Sequence, residues 1–142
     1  MDYKIDRKEQ FAVITLKEAQ FDEAVAEEFE EVARDLLSED YSNLIVVMDQ
    51  TQGIENSGVM TLRKLVRLCT TKLGILVAAT ENDDFAEVLE DSKIADLLVL
   101  PTLEEAIDAV FMHDLENEFG AGDDDDDYDD DDYQGISELK EP

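Results

Sequence analysis

The feature that most constrains the fold is a regular alternation of short apolar runs with amphipathic segments. Continuous aliphatic runs occur at residues 44–48, 75–79 and 97–100, and each is short enough to be one buried strand. In the segments before and between these runs, apolar residues recur at helical spacing. Strands that alternate with helices in this way build a parallel sheet through right-handed crossovers. The pattern therefore predicts an α/β domain.

The boundaries of the predicted helices follow from the same spacing. Apolar residues at intervals of three and four predict helices over residues 23–37 and 57–72, with a shorter helix around residues 85–89. Thr102 begins a final helix, because Glu105 follows three residues later as in a capping box.

The first strands of the sheet precede the first helix. An alternating segment, a polar turn at residues 7–10 and a β-prone run at residues 11–16 predict an N-terminal β-hairpin. The predicted order is β-β-α-β-α-β-α-β-α, a mostly parallel sheet flanked by helices.

Charge divides the chain into two parts. The formal net charge is -28, and residues 120–142 hold 11 acids against one lysine, which leaves -18 for residues 1–119. The second part has almost nothing to bury, so we expect a folded domain at residues 1–119 and a disordered acidic tail at residues 120–142. The negative field disfavours nucleic acid and favours basic protein partners or cations.

The inventory of reactive side chains is small. Cys69 and His113 are the only residues of their types, so no internal disulfide and no cysteine-based zinc site can form. We expect Cys69 to pack in the core. An apparent calcium loop from Asp123 has Tyr128 where glycine is required and Gln134 where glutamate is required. No catalytic residue, metal site or cofactor is predicted.

The predicted location is cytoplasmic, without membrane insertion. The first ten residues are charged and lack the apolar core of a signal peptide, and no apolar run approaches the roughly 18 residues that span a bilayer.

The loop at residues 49–58 is the most informative segment for function. It joins the carboxyl end of a buried strand to a helix, at the edge where ligands and partners bind in open α/β sheets. We expect Asn56 or Ser57 to cap the helix and Gly58 to permit the close approach of another backbone. Capping and partner binding both account for these residue types.

The order and spacing of these segments resemble the STAS domain family, which includes the anti-sigma-factor antagonists. That family has a strand ending in aspartate, an Asp-Ser-Ser-Gly-like motif that opens a helix, and a further strand. The resemblance spans roughly residues 3–111 and extends to Phe21 and Asp22 before the first helix and to residues 102–106 after the last strand. Its central segments read VVMD at 46–49, ENSGV at 55–59 and GILVA at 74–78.

The resemblance implies a non-catalytic regulatory module that binds a protein partner. In the bacterial antagonists the partner is an ATP-dependent kinase that also acts as the anti-sigma factor, and the first serine of the motif accepts a phosphate. Asn56 occupies that position here, so the resemblance implies binding without the usual phosphorylation switch, and Ser57 is the remaining candidate acceptor. The implied partner surface consists of Asp22, Asp49, Glu55, Asn56, Ser57, Gly58, Arg63 and Arg67.

The second helix concentrates positive charge, and two interpretations of it stay open. Arg63, Lys64, Arg67 and Lys72 are four of the ten bases in residues 1–119, and Arg63 and Arg67 lie one turn apart. They form either a solvated face balanced by nearby acids or a contact for an acidic partner or the chain's own acidic tail.

Two other functions also remain open. A soluble STAS subunit of a membrane transport complex would use the same helix, and a small-ligand or nucleotide sensor would use the same edge. An enzyme is disfavoured by the thin acid–base inventory.

Overall fold

The structure, a computed structural model, describes residues 1–120. The chain divides into two units, Met1–Val110 and Phe111–Pro142, and of the second unit only the helical residues 111–120 are described. The predicted disordered tail therefore lies, from residue 121 on, outside the described residues.

The elements are β1 (Tyr3–Arg7), β2 (Ala12–Leu16), β3 (Gln20–Phe21), α1 (Glu23–Ser38), β4 (Leu44–Val47), β5 (Gly53–Ile54), α2 (Asn56–Thr71), β6 (Leu76–Ala79), α3 (Asp83–Asp91), β7 (Leu98–Leu100) and α4 (Leu103–Gly120).

The main sheet has five strands in the order β1-β2-β4-β6-β7. β1 pairs with β2 antiparallel, with Ile5 opposite Ile14, and every other pair in this sheet is parallel. β4 lies at the centre and all four of its residues are buried, which explains its continuous apolar sequence. The predicted α/β fold with an N-terminal hairpin and a mostly parallel sheet is confirmed.

A second, two-stranded sheet was not predicted. β3 pairs with β5 in parallel, with Phe21 opposite Ile54, and Gln52 N–H donates to Ala19 C=O at 2.7 Å beside this pair. Two residues are too few to show a strand periodicity, so only the folded backbone reveals these strands. This small sheet ties the segment after β2 to the segment after β4, just before α2 begins.

Two apolar clusters cover the two faces of the main sheet. On one face, α1, α2 and α3 supply large buried side chains that include Phe29, Leu62 and Phe85. On the other face, Ala106 and Val110 of α4 pack with residues of β2, β4 and β6. Across residues 1–120, none of the helices combines the length and the apolar character that crossing a bilayer requires.

Cys69 is buried in the first cluster, as predicted. Burial raises the pKa of its thiol to about 12, because the interior disfavours the thiolate, which is the reactive form. We expect the folded protein at pH 8 to resist iodoacetamide, whereas the chain unfolded in urea is alkylated fully. Intact-mass spectrometry measures both reactions, and equal rates in the two conditions would contradict this placement.

Candidate protein-binding site

The helices begin at the carboxyl edge of the main sheet, and three of them begin with a side-chain cap. Asp22 accepts from Val25 N–H at 3.0 Å at the start of α1. Asn82 accepts from Asp84 and Phe85 N–H at 3.1 and 3.2 Å at the start of α3. Thr102 accepts from Glu105 N–H at 3.1 Å, as the sequence predicts. These caps satisfy backbone donors that the first helical turn leaves free.

The start of α2 differs from this pattern, and the predicted capping by Asn56 or Ser57 is wrong. The N-cap residue is Glu55, which is exposed and whose side chain makes no capping hydrogen bond. Glu55 N–H donates to Phe21 C=O at 3.0 Å, so pairing next to β5 fixes where the helix begins. Asn56 and Ser57 are consequently the first two helical residues, which places their side chains beyond the capping position.

Ser57, the remaining candidate phosphate acceptor, has a shielded hydroxyl. Its Oγ is out of contact with solvent and has no hydrogen-bond partner among residues 1–120. Asn56 beside it is exposed. The first turn of α2 therefore offers an amide, and not a hydroxyl, to an approaching protein.

Gly58 is buried where α2 packs against the small sheet. A Cβ at this position would meet Phe21 Cδ1 and lie 2.8 Å from Ile54 Cγ1, and both contacts are closer than real Cβ atoms come. The close approach predicted at Gly58 thus exists, but the nearest atoms belong to the side chains of Phe21 and Ile54 and not to another backbone. Gly58 sets how near the start of α2 sits to β3 and β5.

The loop between β4 and α2 is held by contacts to its neighbours. Asp49 is exposed, and its Oδ1 accepts from Glu81 N–H at 2.8 Å, which joins the ends of β4 and β6. Thr51 is buried and its Oγ1 donates to Glu18 C=O at 2.8 Å. At this edge of the sheet, the carboxylates of Asp22 and Asp49 therefore accept hydrogen bonds from the backbone. Glu55 and Asn56 are exposed there as well.

Met60 is an exposed apolar residue beside the candidate site, and the sequence interpretation missed it. Its side chain is 59% exposed, although methionine is usually buried. It follows Asn56 by four residues and precedes Arg63 by three, so these residues share one face of α2. Helical spacing could have indicated its exposure, because Met60 points away from Val59 and Leu62, which face the core.

The basic residues of α2 do not form one uniform stripe. Lys64 Nζ lies 3.2 Å from Glu30 Oε1, and Arg34 Nε donates to Glu30 Oε2 at 2.8 Å. The hydrogen bond from Arg34, with help from Lys64, holds the pKa of Glu30 below its ordinary value. Lys72 Nζ donates to Leu37 C=O. Lys64 and Lys72 are therefore engaged on the α1 side, whereas Arg63 and Arg67 are not.

The arrangement of elements is that of the STAS domains: a hairpin, then alternating strands and helices around a mostly parallel sheet. No family model matches the sequence, and no curated protein sequence matches it either. In the part of the chain that the structure describes, no three His, Cys, Asp or Glu side chains are grouped so that they could hold a metal ion.

Solved structures share this fold. An anti-sigma factor antagonist from Mycobacterium paratuberculosis aligns with a TM-score of 0.67 and 13% identity, over 78% of this chain and 93% of that one. The Bacillus protein SpoIIAA in its unphosphorylated form aligns with a TM-score of 0.64 and 18% identity, over 78% and 97%. The murine anion transporter Slc26a9 aligns with a TM-score of 0.56 and 17% identity, over 75% of this chain and 18% of that one. The domain thus has the fold of the anti-sigma factor antagonists.

Proposed function

We propose that this domain is a non-catalytic regulatory module that binds a partner protein, in the manner of an anti-sigma factor antagonist. The observation that carries the proposal is the exposed Met60 on a polar helix face at the carboxyl edge of the sheet. Methionine is enriched and most charged residues are depleted at the centres of protein interfaces, while rims are polar. Met60 is the apolar centre of such a patch, with Glu55, Asn56 and Arg63 at its rim.

Binding in this proposal does not depend on phosphorylation of the motif. Asn56 cannot carry a stable phosphoryl ester, and the Ser57 hydroxyl is shielded from solvent. We expect peptide-mapping mass spectrometry of the native protein to show no phosphate on residues 49–58. Stoichiometric phosphate on Ser57 or Thr51 would contradict a module that is permanently competent to bind.

The decisive experiment on the proposed surface replaces Met60 with aspartate. The native partner is first identified by affinity purification with the full chain, and its Kd is then measured by isothermal titration calorimetry. A buried charge at the centre of an interface costs about 2 kcal/mol or more, so we expect affinity to fall by about 30-fold. The reason is that Met60 loses its apolar contact and the partner must desolvate a carboxylate.

The matched control for this variant is Val88→Asp. Val88 is 41% exposed on α3, so this change also places a carboxylate on an exposed helical position. Methionine forms helix slightly better than valine or aspartate, so Met60→Asp loses a few tenths of a kcal/mol more, and the melting temperature of each variant is measured beside its Kd. Equal partner affinity for Met60→Asp and Val88→Asp would rule out the proposed surface.

A second candidate function is docking on a membrane transport protein, as a soluble component of its complex. The observation that favours it is the likeness to part of the Slc26a9 anion transporter. The purification separates the two candidates, because a transporter or its ATPase would be recovered in place of a kinase-like regulator. The Met60→Asp comparison applies to either partner.

A further inference from the structure

From Arg63 onward, α2 forms one wall of a groove that adjoins the proposed Met60 patch at that residue. The groove has a volume of about 470 Å³, which lies in the range of ligand-binding clefts. The opposite wall is the segment that follows α3. The residues that the argument uses are Arg63, Val66 and Arg67 of α2 with Lys93, Ala95 and Asp96.

Three cations in this groove are not neutralised by ion pairs. Arg63 donates to Ser92 C=O at 2.9 Å, which fixes its guanidinium against the C-cap of α3 and leaves other N–H groups. Among residues 1–120, no carboxylate lies within ion-pair distance of Arg63, Arg67 or Lys93, in contrast to Lys64. Asp96 is the one carboxylate in the groove wall, so the balance there is three cations to one anion.

This concentration of cations opposes the charge of the rest of the domain. Residues 1–119 carry a net charge of -18 and contain ten bases, three of which meet in this groove. An acidic ligand is repelled by most of the domain, so the groove is a favourable place for it. Arginine is suited to this contact, because its guanidinium forms two parallel hydrogen bonds with a carboxylate.

The groove also contains apolar surface. Ala95 is exposed in the segment after α3, and Val66, which lies between Arg63 and Arg67 along α2, adds the small part of its surface that is not buried. Cations drawn from two elements, together with apolar surface, fit several carboxylates spaced along a peptide better than one compact phosphate.

We propose that this groove binds an acidic segment of the partner protein, with Arg63, Arg67 and Lys93 contacting its carboxylates. Ala95, with the exposed edge of Val66, contacts an apolar side chain of that segment. This inference rests on the proposed function, since it assigns a chemistry to a second contact of the same partner. The partner then engages both halves of α2, through an apolar contact at Met60 and a charged contact in the groove.

The test uses the full chain and a fluorescein-labelled peptide of glutamates around two central leucines, followed by fluorescence anisotropy. We expect binding at low salt that weakens as salt rises, because the cations are exposed and screened. The double variant Arg67→Glu/Lys93→Glu should weaken binding by about tenfold, since two attractive contacts become repulsive. The control Lys8→Glu/Lys17→Glu changes the net charge equally at exposed positions outside the groove and should alter affinity by less than about twofold.

Three results would overturn the inference. These are no peptide binding by the unchanged chain, equal weakening by the two double variants, and tighter binding of tripolyphosphate than of the peptide at the same ionic strength. The native partner then separates the inference from the proposed function. If Met60→Asp abolishes partner binding and Arg67→Glu/Lys93→Glu does not, the groove is not used and the proposed function stands.

Discussion

Replacing Phe21 with alanine lowers the free energy of unfolding by about 3–5 kcal/mol, the range for a large aromatic residue removed from a core. Phe21 is fully buried, and its ring meets that of Phe29 edge to face at 5.3 Å and 68°. It also belongs to β3 and contacts the position of Gly58 on α2. Alanine would leave a cavity where α1, the small sheet and α2 meet.

Urea unfolding followed by circular dichroism measures this loss. The control is Val88→Ala, because Val88 is partly exposed on α3 and such changes stay within about 0.5 kcal/mol. A chain that no longer folds at room temperature agrees with the expected loss, and Phe21→Leu then provides a measurable intermediate. A loss of less than about 1 kcal/mol for Phe21→Ala would show that its environment collapses around the smaller residue, contrary to this packing.

Replacing Gly58 with alanine destabilises the protein by about 1–3 kcal/mol, the range for overpacking a filled core. Inside a helix this change normally stabilises by about 0.5–1 kcal/mol, because glycine loses more entropy on folding. Here the added methyl group would press against Phe21 and Ile54, closer than 3.4 Å to both. The rigid, fully buried ring of Phe21 cannot move aside, so the steric cost exceeds the entropic gain.

A double-mutant cycle tests that explanation. Phe21→Leu removes the ring edge that the new methyl group meets, so Gly58→Ala should cost less in that background, by about 0.5–3 kcal/mol of coupling. Thr70→Ala serves as the control, because Thr70 is exposed on the same helix and alanine there should be neutral or mildly stabilising. Additive effects of Phe21→Leu and Gly58→Ala would show that the two positions do not meet.

The main sheet and the helices were predictable because each has a period or an apolar run that is long enough to recognise. The first helix was predicted at residues 23–37 and is found at Glu23–Ser38. β3 and β5 were not predictable, because two residues carry no period. Their pairing also moved the start of α2 to Asn56, which the capping preference of Asn and Ser could not indicate.

In the candidate site, too, the local features were predictable from the sequence and the contacts between distant segments were not. The spacing on α2 correctly placed Arg63 and Arg67 on an exposed face, since helical geometry is local. Lys93 could not be assigned to the groove from sequence. It has φ of 54° and Asp96 has φ of 67°, so the segment after α3 turns twice through the left-handed region, which is uncommon for lysine although aspartate tolerates it better. Only the folded chain brings Lys93 opposite α2.

The two edge strands of the main sheet, β1 and β7, are poor templates for another strand. β1 carries charges at Lys4, Asp6 and Arg7, and Arg7 Nε is held by Glu39 Oε1 at 2.9 Å. β7 has only three residues and is followed by Pro101, which has no N–H to donate. Charged, very short or proline-flanked margins resist pairing with a strand of another chain. The margins of the described sheet therefore disfavour the addition of a strand from another chain, which is the step by which sheets grow into fibrils.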